Sequence, residues 1–128
     1  MIEIRKYSKD DQNQLIDLLK KQNEEWKCYW HEDVVEKYKE NLLKSITYVA
    51  YDNNMLCGFV RCIEDFGFYI YICDLLVDQS ARGKSIGKQL MSYVKHLYPQ
   101  YVVYVMSDVD TYYEKLNYHK EGSIFEVK

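Results

Sequence analysis

The sequence predicts an α+β protein, a mixed α/β arrangement in which helices cover the faces of one mixed sheet. Three observations predict it. Apolar residues recur at helical spacing in the first third of the chain and again near 84–97, whereas 46–77 alternates or runs apolar at strand length. Two turn signals, DNN (52–54) and EDFG (64–67), cut that stretch into three strands. The only proline, Pro99, stands between a helical pattern and a further strand. The resulting order is β-α-α-β-β-β-α-β-α-β, which is not a simple Rossmann repeat.

Each element has a local reason. IEIRK (2–6) alternates and reads as a strand. Ser8 and Asp10 offer caps for a helix over about 10–24, with Leu15, Ile16, Leu18 and Leu19 on one side. The aromatic and acidic EEWKCYWHED (24–33) breaks that pattern. A second helix carries Val34, Val35, Tyr38, Leu42 and Leu43. ITYVAY (46–51), LCGFVRCI (56–63) and FYIYICDLLV (68–77) are strands. The last is apolar on both faces, hence central in its sheet. Ile86, Leu90, Val94 and Leu97 mark the next helix, and YVVYVM (101–106) the strand after it. Ser107, with Asp110 three positions on, reads as the cap of a short helix over 109–117. From Tyr118 onward a last strand is expected, interrupted by Gly122.

A length of 128 residues fits one domain, residues 1–128, and supports a hydrophobic core without a metal or disulfide staple. The 14 tyrosines lower the weight of any single Tyr as a functional residue. The net charge of −3 with interspersed signs argues against nucleic acid or an anionic membrane as partner. No apolar run reaches spanning length, and MIEIRKYSKDD has no signal core, so a cytoplasmic location is expected. Cys28, Cys57, Cys62 and Cys73 form no CxxC and no zinc spacing. They read as small buried hydrophobes in a reducing compartment, and no metal is expected.

The loop ARGKSIG (81–87) contains Gly-Lys-Ser, the tail of a P-loop. A P-loop needs a glycine at the position of Asp78, where an acid would repel phosphate. The alternative is a helix N-terminus whose free N–H groups and dipole attract an anion. Gly83 and Gly87 permit close approach, Arg82 and Lys84 add charge, and Ser85 adds a hydroxyl. The loop therefore suits a diphosphate, although an ordinary basic loop with a packing glycine has the same residues.

The stretch ICDLLVDQSARGKSIGKQLM resembles motif A of the GNAT acetyltransferase superfamily. The pattern [Q/R]-x-x-G-x-[G/A] falls on Arg82, Gly83, Lys84, Ser85, Ile86 and Gly87, with Ser85 in place of the middle glycine. DTYYEKLNY (110–118) resembles the family's FYEKLGF signature, with Asn117 in place of glycine. The resemblance spans nearly the whole chain and implies a GNAT-like three-layer fold.

It also implies a site. Acetyl-CoA would lie where the strand ending at Val77 parts from the strand 101–106. Main-chain groups of Leu75, Leu76 and Val77 would pair with the pantetheine arm, and Arg82, Gly83, Lys84, Ser85, Ile86 and Gly87 would hold the pyrophosphate. Tyr113 matches the tyrosine that often protonates the leaving thiolate, and a phenol stays protonated at neutral pH. Tyr112 is expected to point elsewhere and pack. Asp74 matches an acid common in the family and suits amine binding or proton relay, or else a structural role. A water-mediated base stays open, and Cys73 lacks a neighbouring His to activate it. Glu64 and Asp65 read as solvated turn residues. The segment 24–33 commonly lines the acceptor site. Here Trp26, Tyr29, Trp30 and Glu32 suit a cationic amine, or the aromatics simply pack.

The leading expectation is an N-acetyltransferase that moves an acetyl group from acetyl-CoA to the primary amine of a small cationic molecule by direct attack. Acetylation of a protein amine, a non-catalytic acyl-CoA sensor and a P-loop-like nucleotide binder are the alternatives. A homodimer stays open.

Overall fold

A computed structural model describes residues 1–128. One five-stranded sheet runs in the order β1 (Ile2–Lys6), β2 (Ile46–Asp52), β3 (Met55–Asp65), β4 (Tyr69–Val77) and β5 (Val102–Val105). The first four are antiparallel neighbours, and β5 lies parallel to β4. The helices are α1 (Gln12–Lys20), α2 (Lys27–Trp30), α3 (Val35–Lys44), α4 (Ile86–Leu97) and α5 (Asp110–Lys115). Asn53 and Asn54 both adopt left-handed φ, 51° and 68°, which is the turn geometry a tight β2–β3 hairpin requires.

Both faces of the sheet are covered. Leu15, Leu18 and Leu19 of α1 and Leu42 of α3 pack on Val49, Phe59 and Leu76. On the opposite face, Ile86, Leu90 and Val94 of α4 pack on Val60, Ile70 and Ile72. Each such side chain contributes about 1.5–3 kcal/mol when fully buried. The α4 positions 86, 90 and 94 repeat every four residues, so they form one stripe.

The β3–β4 register pairs Arg61 with Asp74 but Cys62 with Ile72, leaving Cys73 as the extra residue of a β-bulge. An extra residue inverts the side-chain alternation beyond it. Ile70 and Ile72 therefore face α4, whereas Leu76 joins the α1 and α3 side.

Several local expectations change. α1 begins at Gln12 and ends at Lys20, because 9–11 form a 3-10 turn that carries Asp11 inward. Its carboxylate accepts from the Ser8 N–H at 2.8 Å, from Arg5 at 2.8 and 3.1 Å, and from the Tyr51 hydroxyl at 2.6 Å. Leu43 is exposed, since it sits off the Tyr38–Leu42 stripe that faces the sheet, and of the four cysteines only Cys57 and Cys62 are buried, Cys28 being exposed on the short α2. Ser107 does not cap α5; Val109 takes that position and the Ser107 hydroxyl donates to the Asp110 carboxylate at 2.7 Å. Glu64 is not merely solvated, because it accepts a hydrogen bond from the Tyr101 hydroxyl. The strand expected from Tyr118 onward is absent. An apolar run makes a strand only with a partner ladder, and Ile124, Phe125 and Val127 stay exposed beyond Gly122.

Candidate active site

β4 and β5 pair only from Tyr69↔Val102 to Ile72↔Val105. Beyond that point β5 has ended while β4 continues to Val77, paired on its other side with β3 through Gly58↔Val77. The strands thus part at the Cys73 bulge. Residues 73–77 have no neighbouring strand on the β5 side, which leaves main-chain groups there for an extended ligand. Leu75 and Val77 border this opening, half-buried, while Leu76 is buried against α1 and α3.

The 82–87 loop joins the end of β4 to α4. Gly83 has φ +88° and open space where a Cβ would stand, so backbone conformation demands the glycine. Ser85 is left-handed as well, at φ 59° and ψ 30°, and immediately precedes Ile86, the first residue of α4. The family's glycine position therefore falls on a residue that bends the chain into the helix. No acidic residue occupies the first turn of α4, whose leading N–H groups lack intrahelical partners. Arg82 is exposed and makes no ion pair, whereas the Lys84 ammonium lies 2.8 Å from Asp52. Of the two cations, Arg82 is the one without a carboxylate partner.

α5 ends in a Schellman motif. Asn117 is left-handed at φ 63°, its N–H bonds to the Glu114 carbonyl at 2.9 Å, and the Tyr118 N–H bonds to the Tyr113 carbonyl at 3.1 Å. The apolar contact that accompanies this motif is the stack of Tyr118 on Tyr113, with centroids 6.4 Å apart. The signature around 112–118 is thus a device that fixes Tyr113. Burial pushes the Tyr113 phenol up to about 12. Tyr112 departs from its expected core position. It is 42% exposed and crosses to α4, so that a Cβ on Gly87 would stand 2.5 Å from its hydroxyl oxygen. Successive residues of a helix point about 100° apart, so Tyr113 turning inward carries Tyr112 along the surface.

Asp74 is buried, at 3% exposure, and fully engaged. It accepts from the Tyr38 hydroxyl at 2.7 Å and from Arg61 Nε at 2.5 Å. The Arg61 guanidinium also lies 5.4 Å from the centre of the Tyr38 ring. Burial, with Asp74 adding to it, raises the Tyr38 phenol far above its ordinary value and lifts Tyr29 to about 12. Arg61 and Tyr38 were not singled out from the sequence. A lone arginine inside the apolar LCGFVRCI was the available signal, because a buried cation requires a partner.

The 24–33 segment folds as a 3-10 turn and the short α2. Trp26 meets Phe59 edge-on at 6.4 Å, and Tyr29 lies 4.4 Å from Tyr38. These aromatics therefore join the core while staying half-buried, above the Asp74 network. The Trp30 indole N–H is buried without an acceptor, and Glu32 is exposed and unpaired. The Cys73 thiol is raised by burial, the reverse of nucleophile activation. No group of three or more His, Cys, Asp or Glu is arranged to hold a metal ion, and no helix is long and apolar enough to cross a membrane.

The family model for an acetyltransferase (GNAT) domain matches residues 44–120, so this chain belongs to the GNAT acetyltransferase family. Its fold is similar to an aminoglycoside acetyltransferase from an uncultured soil metagenomic sample, at 19% identity and a TM-score of 0.77, covering 100% of this chain and 98% of that one. It is also similar to the PaiA N-acetyltransferase of Thermoplasma acidophilum in complex with coenzyme A, at 18% identity and a TM-score of 0.73, covering 91% and 88%. A ribosomal-protein-alanine N-acetyltransferase from Brucella melitensis matches at 16% identity and 0.74, covering 100% and 99%. No curated protein sequence matches significantly.

Proposed function

We propose that this protein transfers an acetyl group from acetyl-CoA to the primary amine of a small cationic molecule by direct attack. The observation that carries this reading is the parting of β4 and β5 after Ile72↔Val105, next to a helix mouth free of acidic residues. The residues present fit acetyl-CoA: an open strand edge for the pantetheine amides, and free N–H groups beside Arg82 for the diphosphate. Leu75, Leu76 and Val77 hold the arm through their main chain, and Arg82, Gly83, Lys84, Ser85, Ile86 and Gly87 form the diphosphate cradle. Acetyl-CoA would supply the acetyl thioester that the amine attacks.

Tyr113 is the proton donor. As the new C–N bond forms and the C–S bond breaks, its phenol protonates the leaving sulfur, and the proton that the amine loses returns through water to the phenolate. Asp74 does not serve as a free base in this reading, because both Arg61 and Tyr38 hold it. It holds the Tyr38 hydroxyl, whose ring lies 4.4 Å from that of Tyr29 in the acceptor segment. Trp26, Tyr29, Trp30 and Glu32 form the acceptor side, where aromatic faces and an unpaired carboxylate favour a cation. The bound coenzyme of the Thermoplasma protein and the aminoglycoside acetyltransferase named above are in keeping with this reading.

The test is kinetics over a panel of polyamines, amino sugars and amino-acid amines. Trp30→Ala and Glu32→Gln should raise the acceptor KM while leaving that of acetyl-CoA unchanged. Unaltered acceptor KM for every amine would remove this segment from the site.

A further inference from the structure

We propose that the Tyr112 phenol is a binding group for the coenzyme's diphosphate, completing the cradle from α5. This rests on the acetyl-CoA reading above. Three elements converge on one spot. A methyl group on Gly87 would stand 2.5 Å from the Tyr112 hydroxyl oxygen, 3.6 Å from the ring carbon that bears it, and 3.8 Å from a Leu75 methyl. The phenol therefore lies against the first turn of α4, beside the β4 edge assigned to the pantetheine arm.

The ring is held and the hydroxyl is not. Tyr112 packs edge-on against Tyr113, with centroids 4.9 Å apart and planes at 87°. Tyr113 is in turn fixed by its stack on Tyr118 and by the Asn117 turn. The Tyr112 hydroxyl makes no hydrogen bond to any protein group, whereas those of Tyr38, Tyr51 and Tyr101 each donate to a carboxylate. Burial keeps its proton in place, so it is a donor at neutral pH. The neighbouring free N–H groups of α4 are donors too, and no carboxylate lies in that turn. A cluster of donors without acceptors suits an anion with several oxygens, and a hydroxyl donating to a charged oxygen makes a strong bond. The geometry also gives Gly87 a second reason to be glycine: a side chain there would displace Tyr112 itself.

Calorimetric titration of the intact protein tests this with three probes. Coenzyme A carries both the diphosphate and the thiol arm, 3′-phosphoadenosine 5′-diphosphate carries only the diphosphate half, and pantetheine carries only the arm. Tyr112→Phe should weaken coenzyme A and the nucleotide by about tenfold each. Pantetheine affinity and the ligand-free melting temperature should stay as in the wild type. Gly87→Ala should weaken coenzyme A as well, and adding Tyr112→Phe to it should cost little more, since both changes remove the same contact. Equal coenzyme A affinity in wild type and Tyr112→Phe overturns the proposal, as does an equal loss for pantetheine, which would mark a packing role. A wild type that binds no coenzyme A overturns the acetyl-CoA reading itself.

Discussion

Tyr113 owes its proposed role to two residues beyond it, since Asn117 closes the turn and Tyr118 stacks back on the ring. With burial lifting the phenol to about 12, it holds its proton throughout the neutral range. Tyr113→Phe should lower kcat by roughly 10²-fold and leave acetyl-CoA affinity unchanged, measured by steady-state kinetics beside calorimetry. An unaltered kcat with chemistry rate-limiting would remove it from the mechanism. Ser85 tests the loop's backbone instead. Its left-handed conformation costs roughly 1–2 kcal/mol relative to glycine, offset in part by the greater freedom glycine gains when unfolded. Ser85→Gly should therefore raise the melting temperature by about 2–4 °C. A fall would mean the serine side chain contributes contacts that glycine lacks.

At the scale of elements, β1 and α1 are joined by Asp11. Burial alone would raise its carboxyl, but Arg5, Tyr51 and the Ser8 N–H outweigh that and hold it below the usual range. A depressed folded value stabilises above the unfolded value near 3.9 and is lost as pH falls through the lower folded one. Chemical denaturation should show stability dropping below about pH 4, and Asp11→Asn should lose about 2–3 kcal/mol at pH 7 with a flatter acid limb. A parallel acid limb would assign the effect to other carboxylates. The elements themselves were largely legible, because α4 repeats an apolar stripe and the β2–β3 turn carries two asparagines. The β4 bulge was not. It changes which face Asp74 and Leu76 take without changing composition, so only the ladder partners reveal it. The final strand differs for the complementary reason, as the apolar residues of 123–127 show no trace of a missing partner.

Across the whole molecule, the proposed site draws on both layers of helices. The β4 edge, the 82–87 loop, α4 and α5 lie within one run of sequence, so short motifs suffice to suggest the proposed cradle residues. The α3 and β3 contributions are far from them in the chain, and the Tyr38–Asp74–Arg61 network appears only once the layers pack. Asp74→Asn leaves a largely buried Arg61 without its counter-charge and should cost about 3–5 kcal/mol by urea denaturation. A loss below about 1 kcal/mol would show that water replaces the carboxylate and that the network does not organise the acceptor side.

The central claim is acetyl transfer to an amine, and thiol release from acetyl-CoA by the wild-type protein across the amine panel tests it most directly. Release that rises with the concentration of at least one cationic amine, with one acetylated amine formed per thiol, is the predicted result. Binding of acetyl-CoA with no amine-dependent thiol release from any acceptor would contradict it and leave a coenzyme-sensing domain.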